Sequence, residues 1–126
     1  MKIMRPLLLV LLIILSPVVK ADGNRLLADC QSIEQFMDKG ESRNDTGSGF
    51  CMGLIQGVRT SMQVLNDLLE PKYREYRVCF PDGGINNGQG VRVVLKYLRN
   101  NPEILNMDES VLVMRAYKNA YPCVSK

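Results

Sequence analysis

Four cysteines are the residues best suited to chemistry in this chain, and their spacing argues against catalysis. Cys30, Cys51, Cys79 and Cys123 form no Cys-x-x-Cys pair, the arrangement of thiol redox enzymes and of zinc knuckles. The 126 residues include no histidine, which excludes a His-dependent catalytic triad and a His-bound metal. The sequence therefore predicts no metal, no cofactor and no enzymatic activity.

Acidic residues and a glycine-rich segment are the other candidates for chemistry. Asp82 lies in Pro-Asp-Gly-Gly, where aspartate is typical of a turn. Asp108 and Glu109 precede an apolar pattern, a position that favours helix capping over paired acid–base catalysis. The glycines of residues 83–90 lack the preceding strand and the Gly-Lys-Ser/Thr ending of a phosphate-binding loop. These patterns favour binding over catalysis.

Residues 1–21 have the features of a cleaved secretory signal peptide. Lys2 and Arg5 precede an apolar run over residues 6–19, and Val19-Lys20-Ala21 resembles a cleavage site. A membrane anchor is the alternative, but a spanning helix needs about 20 apolar residues. Cleavage removes three of the 16 basic residues and none of the 13 acidic ones, so the domain 22–126 has no net charge. We therefore expect neither nucleic acid nor membrane as its partner.

Two helices are predicted in the first half of this domain. Apolar residues recur at helical spacing from Leu26 to Met37, and Gly40 is the predicted C-cap. A longer helix is expected from residues 46–48 to Leu69, and Pro71 ends it.

Further helices are predicted beyond the turn-forming residues 79–88. One resumes near Gln89 and stops before Pro102, although the β-branched residues of Val91–Leu95 also permit a strand. Asp108 should cap the last helix. Its predicted buried positions are Val111, Leu112, Met114, Ala116 and Ala120. We predict an all-α fold, a small disulfide-stapled bundle of about four to five helices.

Glycines recur every four residues in the long helix. Gly49, Gly53 and Gly57 lie nearly opposite its apolar face, and each weakens the helix by about 0.5–1 kcal/mol relative to alanine. This cost indicates that another backbone approaches closely, from this chain or from a second copy. An exposed, weakened helix is the alternative.

The four cysteines of a small exported domain indicate two disulfides, for which three pairings exist. Cys30 and Cys51 lie on the apolar faces of two helices that a short loop makes antiparallel neighbours. We therefore predict the pairs Cys30–Cys51 and Cys79–Cys123. In the chain-entropy model these bonds stabilise the domain by roughly 3 and 4 kcal/mol.

Four motifs in order resemble the Rap/Tai family of immunity proteins, across nearly the whole exported domain. They are Cys51-Met52-Gly53-Leu54-Ile55-Gln56-Gly57, Cys79-Phe80-Pro81, Tyr97-Leu98 followed by Pro102, and Pro122-Cys123. The resemblance implies a helical, periplasmic and often dimeric protein. It also implies protection against a type VI-secreted amidase that cleaves peptidoglycan with a Cys-His active site, by plugging the cleft of that enzyme.

The family inhibits through a loop between helices, and the glycine-rich loop after Cys79 matches it by position. A loop held at both ends loses little entropy on binding. The residues assigned to toxin binding are Asp82, Gly83, Gly84, Ile85, Asn86, Asn87 and Gln89. The alternatives are that this loop is only a tight connection, and that the protein is an exported envelope protein of the same fold that binds a small ligand or cell wall.

Overall fold

Four α-helices make up most of the structure. The computed structural model describes residues 22–123, so the predicted signal peptide lies outside the described residues. The helices are α1 (Gly23–Lys39), α2 (Asp45–Leu68), α3 (Asn87–Asn100) and α4 (Glu109–Ala120), with 3₁₀ segments at Pro71–Tyr76 and Pro102–Ile104. Among the described residues, extended pairing is limited to one bridge between Val78 and Pro122. The predicted all-α bundle is confirmed.

Local capping explains where the first two helices begin and where α1 ends. The Asp22 carboxylate accepts from the backbone N–H of Asn24 and Arg25 at 3.0 and 3.4 Å. Gly40 ends α1 as predicted, in the left-handed region at φ 74°, where glycine avoids the Cβ penalty. The Asn44 side chain accepts from the backbone N–H of Gly47 at 3.0 Å and starts α2. Local chemistry therefore sets these boundaries.

Side-chain caps also set where α3 and α4 begin. Asn86 caps α3, which begins two residues before the predicted start at Gln89. Val91–Leu95 is helical, so the strand alternative is wrong. Asp108 caps α4 as predicted, accepting from the backbone N–H of Ser110 and Val111 at 2.9 and 3.2 Å.

The core lies where α3 crosses α1, α2 and α4. Its fully buried side chains include Leu26 and Cys30 of α1, Cys51 and Ile55 of α2, Val91, Val94, Leu95 and Leu98 of α3, and Leu112, Val113, Ala116 and Tyr117 of α4. The predicted face of α4 was partly wrong. Val111 and Met114 are 38% and 43% exposed, and Ala120 is also exposed. Apolar residues occur on all sides of α4, so the sequence pattern does not identify its buried face. The contact of Tyr117 with α2 determines which side is buried.

The structure contains both predicted disulfides. Cys30–Cys51 joins α1 to α2 with both residues fully buried. Cys79–Cys123 lies near the surface and joins the segment before α3 to the chain just beyond the end of α4. The first bond therefore holds the core, and the second holds the chain on either side of α3 and α4.

The Glu109 carboxylate at the start of α4 lies within electrostatic reach of three other carboxylates. Glu109 is 6% exposed, and its Oε2 atom is buried without a hydrogen-bond partner among the described residues. Burial raises the pKa of Glu109, and the negative charges of Asp108, Asp29 and Asp22 raise it further, against the lowering effect of Arg25. The charged form of Glu109 is therefore disfavoured in the folded state.

Replacing Glu109 with glutamine should stabilise the domain in a pH-dependent way. A carboxyl group whose pKa is raised on folding stabilises the fold below its unfolded pKa of about 4.3, and this contribution is lost as the pH rises through the folded value. We expect E109Q to raise the thermal unfolding midpoint by a few degrees near pH 8 and to have little effect near pH 3.5. A midpoint that rises equally at both pH values would contradict the electrostatic explanation.

Candidate functional site

The predicted binding loop is fixed firmly where it begins. The anchored loop, residues 79–86, begins at Cys79, shortly after the 3₁₀ segment that ends at Tyr76, and Cys79 is disulfide-bonded to Cys123. The Cys79 backbone N–H donates to the Tyr121 carbonyl at 2.9 Å. Phe80 then packs against the rings of Tyr117 and Tyr121, with both centroid distances at 5.3 Å. The loop therefore begins on a rigid base formed by the end of α4.

A tight turn forms the tip of the anchored loop. The Gly84 N–H donates to the Pro81 carbonyl at 2.8 Å. Gly83 and Gly84 have φ angles of 84° and 74°, which side chains with a Cβ rarely adopt. Pro81, Asp82 and Gly83 are exposed. The turn therefore presents the Asp82 carboxylate and adjacent backbone to solvent.

The loop is held equally well where it ends. Ile85 is 8% exposed and places its side chain in the core. Its carbonyl accepts from Arg59 Nη1 of α2 at 2.6 Å. The Asn86 carboxamide oxygen accepts from the Gln89 backbone N–H at 2.8 Å and caps α3. Ile85 and Asn86 therefore hold the loop in place.

Two of the residues predicted for toxin binding lie in the first turn of α3. Asn87 Nδ2 donates to Gln56 Oε1 of α2 at 3.4 Å, and Gln89 Nε2 donates to the Tyr121 hydroxyl at 3.3 Å. These contacts tie the start of α3 to α2 and to the end of α4. Six of the seven predicted residues are exposed or partly exposed around the tip, whereas Ile85 is buried, so its side chain anchors the loop and cannot contact a partner as predicted.

Arg59 is the residue of this site that the sequence analysis missed. It lies one turn from Ile55 on α2, beside the buried face, and its guanidinium reaches across to the loop. A charged residue at the border of an apolar helical face was the available signal. The pairing with a loop carbonyl could not be read from the sequence, because it depends on how the loop crosses α2.

The close backbone contacts predicted at the three regularly spaced glycines of α2 are not made among the described residues. A Cβ built on Gly49, Gly53 or Gly57 meets no atom within 4 Å among the described residues, and all three are exposed. None of the helices within residues 22–123 covers that face, which leaves a second copy or an open surface. The closest approaches occur instead at Gly23, Gly47 and Gly90.

The cysteines and the tyrosine hydroxyl near the loop are in unreactive forms. Cys79 and Cys123 are joined in a disulfide. Burial raises the pKa of Tyr117 to about 12, so its hydroxyl stays protonated and donates to the Ile55 carbonyl at 3.3 Å.

Within residues 22–123, no cluster of three or more acidic or cysteine side chains is arranged to hold a metal ion. The same residues include no helix that is both long and apolar enough to span a bilayer.

Fold and loop together define a small disulfide-bonded helical domain with an exposed loop tip that is fixed at both ends. A family model for Rap1a immunity proteins matches residues 22–123, and the chain belongs to that family. This match confirms the family resemblance seen in the sequence. No curated protein and no solved structure matches the chain.

Proposed function

We propose that this protein is a periplasmic immunity protein that blocks a type VI-secreted peptidoglycan amidase. The anchored loop enters the active-site cleft of the enzyme and keeps substrate out. Family membership supports the general part, which is the binding of a cognate toxin. The observation that carries the loop assignment is an exposed tip between two fixed ends: the Cys79–Cys123 disulfide and the buried Ile85 held by Arg59.

Preorganisation is the physical reason to assign inhibition to this loop. Ordering a mobile segment on binding costs about 0.5–1.5 kcal/mol for each side chain that is immobilised. The anchored loop is already ordered in the free protein by its disulfide, its turn hydrogen bond and the Asn86 cap, so little further ordering is needed on binding. Glycines at 83 and 84 let a partner approach the backbone closely.

The chemistry of the tip suits a cysteine amidase. Such an enzyme pairs a thiolate with a protonated imidazole and must offer donors to a polar peptide substrate. Asp82 presents a carboxylate to those donors, and charge-assisted hydrogen bonds of this kind are among the strongest in proteins. The thiols next to the loop are joined in the Cys79–Cys123 disulfide, so they offer no free nucleophile, and the proposed interaction is inhibition without turnover.

The proposed compartment agrees with the cysteine chemistry. Two disulfides persist in an oxidising environment such as the periplasm. The proposed signal peptide, residues 1–21, directs the chain there. The family match begins at residue 22, immediately after the proposed cleavage site.

The proposal is tested with the wild-type protein purified from periplasm and a panel of secreted cysteine amidases. We expect it to capture at least one amidase, including a variant whose catalytic cysteine is replaced by alanine, because binding does not require turnover. An equimolar mixture should lose peptidoglycan hydrolysis, and cells that carry the protein should survive the amidase. Full amidase activity in the presence of excess protein would contradict the proposal, as would peptidoglycan hydrolysis by the protein itself.

A further inference from the structure

The two disulfides of this domain differ in their access to solvent. Cys30 and Cys51 are both fully buried in the core. Cys79 is exposed and Cys123 is partly exposed. Thiol–disulfide exchange requires a thiolate to reach one of the sulfur atoms, so access decides which bond reacts. A dithiol reductant can therefore reach the Cys79–Cys123 bond, while the folded bundle protects the other.

The surface bond ties down the chain that follows α4. On one side of the bond, Val78 is already held by α2, because the Asn66 carboxamide donates to its carbonyl and accepts from its backbone N–H. On the other side, the chain beyond α4 is joined to this segment by the disulfide, by the antiparallel bridge at Pro122 and by the hydrogen bond from the Cys79 N–H to the Tyr121 carbonyl. The disulfide is the covalent link among these, and chain ends fray unless they are tied down. Opening the bond should therefore release the chain after α4 and leave Val78 in place.

Tyr121 connects this chain end to the anchored loop. It follows the last residue of α4 and precedes Cys123 by two positions. Its ring packs against Phe80 with a centroid distance of 5.3 Å, and its hydroxyl accepts from Gln89 Nε2 at 3.3 Å. Tyr121 thus supports both the beginning of the loop and the first turn of α3. A chain end that frays withdraws this support.

We propose that the Cys79–Cys123 disulfide is a redox switch for the anchored loop. While the bond is closed, Tyr121 holds Phe80 and the loop is ordered before it meets a partner. When a dithiol reductant opens the bond, the loop becomes mobile where it begins, although Arg59 still holds Ile85 where it ends. The bundle stays folded around the buried disulfide. The inference rests on the proposed function, since it implies that the exported protein binds its toxin tightly only after this bond has formed.

The reaction is a two-step exchange. As a disulfide the pair offers no nucleophile, but its sulfur atoms accept attack by a thiolate. One thiolate of the reductant bonds to the exposed sulfur of Cys79, and the electron pair of the broken bond leaves on the sulfur of Cys123. The second thiolate then bonds to the first sulfur of the reductant and displaces Cys79. The reductant is oxidised to a disulfide, both cysteines are reduced to thiols, and the two protons lost by the reductant end on them.

Mild reduction of the wild-type protein with dithiothreitol tests the selectivity. Alkylation with iodoacetamide and peptide mass spectrometry should find Cys79 and Cys123 modified, with Cys30 and Cys51 still joined. Circular dichroism should retain its helical signal. We expect the Cys79 backbone N–H to exchange with solvent at least about tenfold faster than in the oxidised protein, because its partner is the Tyr121 carbonyl.

The variant Cys79→Ser with Cys123→Ser tests binding without a reductant. We expect it to bind the captured amidase about tenfold more weakly, since about two more side chains must be ordered on binding. Tyr121→Ala keeps the bond and removes the ring support, so it should lose a similar factor. The two changes combined should cost less than about threefold more than either alone, because they remove the same support. Tyr73→Ala, at an exposed tyrosine of the 3₁₀ segment, is the matched control and should bind as the wild type does.

The outcomes separate this inference from the proposed function. If the oxidised wild-type protein does not bind an amidase, the proposed function fails, and the exchange rate of the Cys79 N–H alone decides whether the bond controls the loop. Amidase affinity that is unchanged in the double serine variant overturns the redox switch. Loss of the helical signal on selective reduction also overturns it, because the bond would then support the whole fold and not the loop.

Discussion

Replacing Asp82 with arginine is expected to weaken amidase binding at least about a hundredfold, or about 2.7 kcal/mol, without changing the unfolding midpoint. Asp82 is exposed at the tip of the anchored loop and makes no hydrogen bond or ion pair with another described residue. Its removal therefore disturbs no internal contact. In the complex, an arginine would meet the donors that a carboxylate accepts from, and like charges in an interface cost several kcal/mol. Isothermal titration calorimetry with the captured amidase measures the change.

Two further variants show whether the effect belongs to the site. Asp82→Asn keeps the size and removes only the charge, so we expect an intermediate loss of affinity. Glu103→Arg makes the same charge reversal at an exposed residue of a 3₁₀ segment remote in sequence from the loop, and it should bind as the wild type does. Equal affinities for Asp82→Arg and Glu103→Arg would remove the loop tip from the interface, even if the protein inhibits the amidase.

Features set by nearby residues could be predicted from the sequence. Gly40 and Asp108 were identified as caps because a helix boundary depends on side chains within a few residues. The cap at Asn86 was missed, although the pattern Asn86-x-x-Gln89 resembles a capping box and was available as a signal. The disulfide pairing could also be predicted, since a short loop makes α1 and α2 neighbours and places Cys30 near Cys51.

Features set by tertiary packing could not be predicted in the same way. The buried face of α4 depends on where Tyr117 meets α2, which no local pattern determines. The role of Arg59 depends on the path of the anchored loop across α2. The regularly spaced glycines at 49, 53 and 57 mark a face that the described residues leave open, whereas the isolated glycines at 23, 47 and 90 mark tight contacts. The regularly spaced glycines therefore lie on an open surface, whereas the isolated glycines lie at close contacts between elements.

Gly90 lets α3 pack closely against Tyr117 and Ile55. Gly90→Val is therefore expected to destabilise the domain by about 3 kcal/mol, which is the upper end of the usual cost of overpacking a core. A Cβ at this buried position would lie 2.7 Å from the Tyr117 hydroxyl and 3.0 Å from Ile55 Cγ2. Neither neighbour can move freely, because both are fully buried and the hydroxyl is bonded to the Ile55 carbonyl. Urea denaturation followed by circular dichroism measures the loss.

A double-mutant cycle identifies the contact responsible. Gly90→Ala alone should destabilise the domain, although alanine is the better helix former by about 1 kcal/mol. In a Tyr117→Phe background the hydroxyl is absent, so Gly90→Ala should cost less, by a coupling of about 1 kcal/mol or more. Gly49→Ala, at an open helical position, should instead stabilise the domain by about 0.5–1 kcal/mol. If Gly90→Ala behaves like Gly49→Ala, then α3 does not approach Tyr117 as closely as the structure places it, and the contacts of Tyr117 do not hold the base of the anchored loop rigidly.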